Sequence, residues 1–381
     1  MDMKIDWVIV GAGFTGATFA ERLAASGKRV LIVDARDHIG GNAYDEHNEH
    51  GILVHRYGPH IFHTNSSQVW EYLSRFTEWR PYQHHVLGCV EGRFVPIPFN
   101  LNSLGALFPT SLAAKIEDRL VSEFGFGKKV PILKLRESED ETVRDFANYV
   151  YRNVFEQYTI KQWGLRPEEL SPSVTARVPV YISRDDRYFQ DTYQAMPLRG
   201  YTALFRRLLA HPNIKVLLNC DFKELISEHK TTPVFYTGAI DELLDYRFGP
   251  LPYRSLRFAQ QTLPEAKYQP VGTVNYPNNN DFTRITEQKI LTGQQSTVTT
   301  LVTEYPQAHE PGRTIAYYPI PRDENKALHD RYVEAAAQEF PAMMIAGRLG
   351  DYQYYNMDQA CARGMKLAEN VCRIAVSEAK S

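Results

Sequence analysis

Cysteine is scarce in this sequence, and the pattern typical of a metal or disulfide site is missing. The four cysteines are Cys89, Cys220, Cys361 and Cys372. They include no Cys-x-x-Cys pair and have no histidines at metal-ligand spacing. We therefore expect no metal site and no structural disulfide, and interpret these cysteines as small apolar residues of the interior.

A basic excess and long apolar runs are also missing. The formal net charge is −2, which argues against a nucleic-acid-binding protein and leaves a phosphorylated small molecule as a candidate ligand. No uncharged apolar run approaches the roughly 18 residues that a membrane-spanning helix needs, and the N-terminus does not have the pattern of a signal peptide. We therefore expect a cytoplasmic protein that does not insert into a membrane.

The first feature that is present is a β-α-β unit. Residues 5–10 form a short apolar run, which predicts a strand buried on both faces. The sequence Gly-Ala-Gly-Phe-Thr-Gly follows at residues 11–16 and opens a helical stretch that ends near Gly27. Residues 29–34 form a second apolar run that closes at Asp34. This arrangement predicts a dinucleotide-binding site.

Each residue of this fingerprint has a physical task. Gly11 permits the tight turn, Gly13 lets the backbone approach a pyrophosphate, and Gly16 allows the helix to pack closely on the sheet. The helix N-terminus offers free N–H groups and a partial positive charge to the phosphates. We expect Asp34 to accept hydrogen bonds from a ribose hydroxyl.

The residues after Asp34 distinguish FAD from NAD, which share the first fingerprint. Residues 35–43 read Ala-Arg-Asp-His-Ile-Gly-Gly-Asn-Ala, with the paired glycines Gly40 and Gly41. A paired glycine at this place resembles the second fingerprint of FAD-dependent proteins related to glutathione reductase and the amine oxidases. The predicted cofactor is therefore FAD.

Further motifs run in order over nearly the whole chain. They are GGNAY at 40–44, GPHIFHT at 58–64, PFN at 98–100, YTIKQWG at 158–164, GYT at 200–202, YTG at 236–238, DYRFG at 245–249, YRSL at 253–256, EYP at 304–306, YYP at 317–319 and GRLGDY at 347–352. Together they resemble the FAD-dependent UDP-galactopyranose mutases of bacteria. A shared cofactor domain alone does not account for a match of this extent.

The resemblance implies an α/β fold with a discontinuous Rossmann-like FAD-binding domain, a helical lobe and an antiparallel β-sheet lobe. The FAD-binding domain takes residues 1–84, 200–244 and 317–381. The sheet lobe takes residues 85–98, 175–199 (with a mobile loop) and 245–316, and the helical lobe with the uridine pocket takes residues 99–174.

Local patterns predict several elements of this architecture independently. Thr142 is predicted to cap a helix whose apolar residues recur at helical spacing. Residues 85–96 are typical of a hairpin around Glu91 and Gly92. Residues 297–304 are predicted as a further strand, and residues 215–218 and 343–346 as added strands of the cofactor domain.

The resemblance also implies a reaction. Family members interconvert UDP-galactopyranose and UDP-galactofuranose without net oxidation, and supply galactofuranose for cell-surface glycans. In the family mechanism, N5 of the reduced flavin attacks the anomeric carbon and displaces UDP, so the cofactor is the nucleophile. This agrees with the lack of a Ser-His-Asp, Cys-His or metal constellation in the sequence. The family often forms dimers, which leaves a homodimer open.

Two arginines are assigned to the diphosphate by residue-by-residue matching. Arg177 and Arg284 match the family's diphosphate-binding pair, and the match places Arg177 on a loop that closes over the substrate. Many relatives have a second arginine where this chain has Tyr181. Whether Tyr181, Arg184 or Arg187 assists Arg177 stays open.

The other matched substrate contacts are aromatic or polar. Tyr151, Phe155 and Tyr158 recur at helical spacing, and the match assigns Phe155 and Tyr158 to the two faces of the uracil. Thr159 and Trp163 belong to the same pocket. The remaining contacts are Tyr188, Tyr318 and Tyr354 at the diphosphate and Asn275 near the sugar.

His60 matches a family histidine beside the flavin, and we assign it to the catalytic group with the two arginines. The predicted FAD contacts are Gly11, Gly13, Phe14, Thr15, Gly16, Asp34, Ala35, Arg36, Gly40, Gly41, Asn42, His60, Ile61, Arg348, Tyr355, Asn356 and Met357. Residues 356–358 open the last helix, whose N-terminus we expect to face the flavin. The alternative is an FAD-dependent oxidase of the amine oxidase type, which shares the N-terminal fingerprints but consumes oxygen.

Overall fold

The structure is a computed structural model that describes residues 4–170, 179–225 and 232–378. Its strands are β1 (Trp7–Val10), β2 (Val30–Val33), β3 (Asp45–His47), β4 (Leu53–His55), β5 (Phe62–Thr64), β6 (Trp79–Pro81), β7 (Val86–Val90), β8 (Arg93–Ile97), β9 (Lys129–Val130), β10 (Val180–Tyr181), β11 (Tyr193–Pro197), β12 (Ile214–Leu217), β13 (Val234–Tyr236), β14 (Tyr253–Leu263), β15 (Thr273–Asn275), β16 (Arg284–Glu287), β17 (Thr299–Ala308), β18 (Tyr318–Pro319) and β19 (Met343–Ile345).

The α-helices are α1 (Phe14–Ala25), α2 (Ser67–Ser74), α3 (Leu101–Leu107), α4 (Thr110–Phe124), α5 (Ile132–Leu135), α6 (Glu141–Val150), α7 (Gln157–Trp163), α8 (Tyr201–Leu208), α9 (Phe222–Leu225), α10 (Ile240–Leu243), α11 (Gln288–Thr292), α12 (Asp323–Glu339) and α13 (Met357–Glu378). A π-helical turn, Tyr151–Glu156, joins α6 to α7.

The N-terminal fingerprint belongs to a five-stranded parallel sheet with the order β12-β2-β1-β13-β19. Val8, Ile9 and Ile32 are fully buried in it. Strands of a parallel sheet that is covered on both faces are continuously apolar. The apolar runs at residues 5–10 and 29–34 could therefore be predicted as strands from the sequence. The strands predicted at 215–218 and 343–346 are present as β12 and β19, so distant parts of the chain meet in one sheet.

Helices α1 and α13 pack against each other beside this sheet. Ala17, Ala20 and Leu23 of α1 share a hydrophobic cluster with Cys361 and Ala368 of α13. All five residues are fully buried. This packing fixes the start of α1 at the carboxyl end of the parallel strands.

The second large sheet has seven strands in the order β18-β14-β17-β16-β15-β7-β8. The predicted hairpin is present as β7 and β8, with positive φ angles at Glu91 and Gly92. The strand predicted at 297–304 is present as β17. Neighbouring strands are antiparallel, whereas β15 and β7 run parallel. The expected antiparallel sheet therefore contains one parallel pair.

The helical lobe packs on the β7–β8 hairpin through one hydrophobic cluster that includes Val86, Ile97 and Phe146. The prediction that Thr142 caps α6 is wrong. The carboxylate of Asp140 accepts hydrogen bonds from the backbone N–H groups of Thr142 (2.8 Å) and Val143 (3.2 Å). Asp140 stands directly before the first helical residue, where a carboxylate reaches the free amides of the first turn.

The aromatic stripe of Tyr151, Phe155 and Tyr158 is divided by the π-helical turn. Its i→i+5 hydrogen bonding widens the turn, so residues four apart no longer lie on one line. Tyr151 turns into the helical lobe, where its hydroxyl donates to Glu168 (2.6 Å). Phe155 and Tyr158 instead border a cavity between the helical lobe and the large sheet.

Candidate active site

A cleft at the carboxyl end of the parallel sheet contains both glycine fingerprints. Residues just beyond four of its strands line the cleft: Gly11, Asp34 and Thr237 directly follow β1, β2 and β13, and Gly347 lies two residues after the end of β19. Ligands of open parallel sheets bind at this end, where the strands stop and the helices start.

Most of the predicted FAD contacts share this cleft. Those that line it are Gly11, Gly13, Phe14, Thr15, Gly16, Asp34, Ala35, Arg36, Gly40, Gly41, Asn42, His60, Arg348, Asn356 and Met357. Ile61 does not line it and packs against the hydrophobic core. Tyr355 also lies outside the lining, and its hydroxyl donates to Asp351 (2.9 Å).

The glycines of the first fingerprint fit a bound pyrophosphate. Gly11 has a φ of +100°, and a Cβ atom on Gly16 would clash with the carbonyl oxygen of Gly11. A Cβ atom on Gly13 would find its nearest neighbour, the Cα of Gly41, at 3.8 Å, so the backbone there is open to the cleft. Helix α1 starts without a side-chain cap or an acidic residue in its first turn, which leaves its N–H groups to an anion.

Asp34 ties the two fingerprints together. Its Oδ2 accepts a hydrogen bond from the Ala12 N–H (2.8 Å) and its Oδ1 accepts one from the Arg36 N–H (3.0 Å). Arg36 in turn donates from Nη1 to Oδ1 of Asn42 (3.0 Å). Each carboxylate oxygen has a further lone pair, which can accept from a ribose hydroxyl.

Thr237 lines the cleft but is not among the FAD contacts predicted from the sequence. Its hydroxyl donates to the carbonyl oxygen of Val10 (2.7 Å) and joins the ends of β1 and β13. A Cβ atom on Gly11 would clash with this hydroxyl. The motif at residues 236–238 was the available signal for Thr237. Its hydrogen-bond partner, Val10, follows from the pairing of β13 with β1, which the motif does not specify.

His60 is a neutral ring at one side of the cleft. Its Nδ1 lies 2.8 Å from the carbonyl oxygen of Gly58, and its backbone N–H donates to Nδ1 of His55 (3.1 Å). Since a carbonyl oxygen only accepts, Nδ1 carries the proton and Nε2 is an acceptor. Burial lowers the pKa of His60 to about 3, with smaller contributions from His55, Arg348 and Arg284.

Arg284 is held by a buried carboxylate. Adjacent strands β16 and β17 place Arg284 opposite Glu304, and Nε and Nη2 donate to Oε2 at 3.0 and 2.7 Å. Glu304 is 1% exposed. Burial lowers the pKa of the Arg284 guanidinium, but the charge of Glu304 more than offsets this, so the pKa is raised. The two hydrogen bonds use two of the five N–H donors of a guanidinium.

Glu304 belongs to the EYP motif at residues 304–306, which did not predict a role for it. The available signal was that Glu304 is an acid within the otherwise uncharged strand β17. Which arginine it pairs with depends on strand register, which the sequence pattern does not specify.

A second cavity of about 110 Å³ lies between α7 and the large sheet. The predicted substrate contacts that line it are Phe155, Tyr158, Thr159, Trp163, Tyr188 and Asn275. Ile97, Ile132 and Val154 complete an apolar wall. Burial raises the pKa of the Tyr158 hydroxyl, which therefore stays protonated and can donate. We call this the base cavity.

Tyr318 and Tyr354 connect the base cavity to the cleft. Their rings stack with centroids 5.2 Å apart, and Trp163 of the base cavity lies 6.1 Å from the Tyr318 ring. The guanidinium of Arg348, which lines the cleft, lies 5.8 and 5.3 Å from the two tyrosine rings. Arg284 is close enough to influence the pKa of both Tyr158 and His60. A row of neighbouring side chains thus connects the base cavity with the cleft.

Of the three candidate helpers of Arg177, the two arginines form ion pairs, and Tyr181 lies in β10, opposite Lys129 of β9. Arg177 itself lies outside the described residues. Arg184 forms an ion pair with Glu117 of α4 (2.7 Å), and Arg187 forms one with Asp185 (2.7 Å). Neither arginine lines the cleft or the base cavity.

Residues 4–170, 179–225 and 232–378 contain neither a metal-ligand cluster nor a membrane-spanning helix. No group of three or more histidine, cysteine, aspartate or glutamate side chains there is arranged to hold a metal ion. No helix in these ranges has the length and apolar character needed to cross a bilayer.

The parallel sheet with its glycine-lined cleft defines a Rossmann-type dinucleotide-binding enzyme with a second, base-sized cavity. A family model for UDP-galactopyranose mutase matches residues 153–354, and one for an NAD(P)-binding Rossmann-like domain matches residues 9–76. A probable UDP-galactopyranose mutase of Klebsiella pneumoniae is 36% identical over 95% of this chain and 93% of its own length. The dTDP-fucopyranose mutase of Escherichia coli is 34% identical over 95% of this chain and 97% of its own. The chain therefore belongs to the UDP-galactopyranose mutase family, as its motifs predicted.

The fold agrees with this membership. A crystal structure of reduced UDP-galactopyranose mutase superposes with a TM-score of 0.70 and 17% identity, covering 98% of this chain and 95% of that one. Amine oxidase [flavin-containing] B of Sus scrofa is 36% identical over 61 residues, or 16% of this chain. The Rossmann-like domain and these relatives support a flavin cofactor. The amine oxidases, which represent the alternative function, are only distantly related to this chain.

Proposed function

We propose that this protein interconverts UDP-galactopyranose and UDP-galactofuranose with reduced FAD as its cofactor. The observation that carries the proposal is the row of neighbouring side chains that runs from the base cavity, near Arg284, to the dinucleotide cleft. A UDP-sugar laid along this row places its base in the cavity, its diphosphate at the arginine and its sugar towards the cleft. The UDP-galactopyranose mutases among its relatives support this choice of substrate.

The base cavity binds the uracil. Phe155, Tyr158 and Trp163 provide aromatic surfaces, and Thr159 provides a hydroxyl. Base–aromatic stacking contributes about 1–3 kcal/mol per base in single-strand nucleic-acid binders, enough to anchor one end of the substrate. Anchoring the base also keeps UDP near the sugar after the bond between them breaks.

Arg284 binds the diphosphate and stabilises it as a leaving group. Breaking the bond from the anomeric carbon to the diphosphate leaves negative charge on the diphosphate oxygens. A guanidinium held in a water-poor site stabilises that charge without reorganising. Glu304 fixes the guanidinium through two hydrogen bonds and leaves its other N–H donors for the substrate. By the family match, Arg177 provides the second cation.

Reduced FAD supplies the nucleophilic nitrogen when it is bound, so sugar isomerisation involves no net oxidation. The chain contributes the cradle: backbone at Gly13, the start of α1 for the pyrophosphate, and Asp34 for the ribose. His60 offers Nε2 as a hydrogen-bond acceptor without adding positive charge to the site.

The test is chromatographic. UDP-galactofuranose is incubated with the holoenzyme, either oxidised or reduced with dithionite, and the formation of UDP-galactopyranose is measured. We expect conversion by the reduced form only. No conversion in either state, with FAD bound, would overturn the proposal, and peroxide production from amines would then identify an oxidase.

A parallel incubation with dTDP-fucopyranose tests the substrate class, because the Escherichia coli relative is named for that sugar. Faster turnover of dTDP-fucopyranose than of UDP-galactopyranose by the reduced enzyme would keep the ring-isomerising reaction and replace the proposed substrate.

Location, assembly and lobe boundaries complete the proposal. We place the protein in the cytoplasm, where it provides galactofuranose for cell-surface glycans, and keep the homodimer as the assembly to be tested. We also retain the three-lobe division, with residues 99–174 as the helical lobe. Sedimentation equilibrium tests the dimer, cell fractionation tests the location, and limited proteolysis tests the lobe boundaries.

A further inference from the structure

Two separate elements carry the contacts of the base cavity and the diphosphate. Helix α7 provides Tyr158, Thr159 and Trp163, whereas the β15–β16 hairpin provides Asn275 and Arg284. Asn275 and Arg284 are directly paired across this hairpin. A substrate that spans both elements requires a fixed distance between them.

Lys161, on α7, joins the helix to the loop of this hairpin. Its Nζ donates to the carbonyl oxygens of Tyr276 (2.5 Å), Phe282 (2.9 Å) and Asn280 (3.2 Å). An ammonium group has three N–H donors, so these three carbonyls use all of them. Tyr276 directly follows Asn275, so the hydrogen bond from Lys161 to Tyr276 lies next to a predicted sugar contact.

The charge of Lys161 has no carboxylate partner within 4.0 Å among the described residues, where ion pairs join other side chains. The side chain is partly buried, and burial lowers the pKa of its ammonium to about 8, while the charge of Asp281 acts in the opposite direction. The three carbonyl oxygens accept all of its hydrogen bonds. Hydrogen bonds of a charged donor in such a site are stronger than those between neutral groups.

Two further contacts fix the same elements. Arg254 of β14 donates from Nε to the carbonyl oxygen of Gln162 (2.9 Å) and from Nη2 to that of Lys161 (3.0 Å). These carbonyls belong to the last turn of α7, so Arg254 caps the helix. Asn278 of the hairpin loop donates to the carbonyl oxygen of Asn153 in the π-helical turn (3.1 Å).

We propose that Lys161 is a positioning residue that sets the distance between α7 and the β15–β16 hairpin, and with it the width of the base cavity and the distance from the cavity to Arg284. It lines a separate polar cavity behind α7 and does not line the base cavity or the cleft. It therefore acts through the elements it joins. The inference rests on the proposed function, because it requires one UDP-sugar to contact both α7 and the hairpin.

Lys289 is a matched control. It is 7% exposed, and its Nζ donates to the carbonyl oxygens of Ser296 (2.7 Å) and Val298 (2.8 Å). It lies on α11 and lines neither the base cavity nor the cleft. Lys289→Met thus removes a similar carbonyl-bound ammonium without touching the proposed spacing.

The experiment measures the Kd of UDP for the FAD-loaded protein by isothermal titration calorimetry. We expect Lys161→Met to raise this Kd about tenfold, which corresponds to about 1.4 kcal/mol, with KM rising in parallel and kcat falling less. Lys161→Arg, which keeps charge and N–H donors, should return the Kd towards the wild-type value. Lys289→Met should leave the Kd unchanged even where it lowers the melting temperature.

The outcomes separate the two proposals. A wild-type protein that does not bind UDP overturns the proposed function. A wild-type Kd in Lys161→Met, or an equal rise in Lys161→Met and Lys289→Met, overturns the positioning role. If Lys161→Met does not load FAD, Lys161→Gln replaces it, because glutamine keeps two N–H donors without the positive charge. The Kd of UDP for Lys161→Gln is then compared with those of the wild type and Lys289→Met.

Discussion

Removing the guanidinium of Arg284 should have two separable effects. Glu304, 1% exposed, would lose the partner to which its Oε2 is hydrogen-bonded at 2.7 and 3.0 Å. Its Oε1 would keep only a long contact, 3.4 Å, with the hydroxyl of Thr283. The substrate diphosphate would lose one of its two assigned cations.

The magnitudes differ for the two effects. Breaking a buried ion pair by removing one partner typically costs about 3–5 kcal/mol of stability, because a charge is left uncompensated. Removing one preorganised group that stabilises transition-state charge typically lowers kcat by about a hundredfold to a thousandfold. Arg284→Ala should therefore be both less stable and nearly inactive, with FAD still bound.

A second variant separates the two effects. Arg284→Ala combined with Glu304→Gln removes the uncompensated charge but does not restore the cation. We expect the double variant to regain most of the stability and none of the turnover. Thermal unfolding of the FAD-saturated proteins measures the first quantity, and chromatography of the sugar products measures the second.

Two results would refute this reasoning. Full turnover in Arg284→Ala would remove the arginine from the diphosphate site. Equal melting temperatures of the single and double variants would mean that the lone Glu304 carboxylate is not destabilising, so that it is protonated or hydrated instead.

Three further predictions use other parts of the site. Tyr158→Ala should weaken UDP binding by about 1–3 kcal/mol while Tyr158→Phe keeps the stacking, and unchanged UDP affinity in the alanine variant would refute the stacking role. Gly13→Leu should lower the FAD content without unfolding the protein, because the new side chain points into open cleft; a normal FAD content would contradict the fingerprint assignment. Burial lowers the pKa of His55 to about 4 and the pKa values of His60 and His84 to about 3, so unfolding takes up protons below pH 6.5 and stability should fall as the pH drops. At pH 5 each histidine lowers the free energy of unfolding by at most about 2 kcal/mol. Equal free energies of unfolding at pH 7 and pH 5, measured by chemical denaturation, would contradict this prediction.

The sequence by itself determined the cofactor domain. In residues 5–34 the strand, turn and helix contact one another locally, so apolar runs and glycine spacing suffice to specify them. Fifteen of the predicted FAD contacts line one cleft. Six of the predicted substrate contacts line one cavity, and these came from motif matching, since an aromatic stripe alone is equally typical of a core.

Only the tertiary structure decided which side chains meet across elements. The pairing of Arg284 with Glu304 depends on the register of β16 and β17, and a shift of one residue would turn Glu304 to the other face. The carbonyls that hold Lys161 come from a loop more than a hundred residues away in the chain. Such contacts depend on how whole elements pack, and no local pattern of apolar and polar residues specifies that packing.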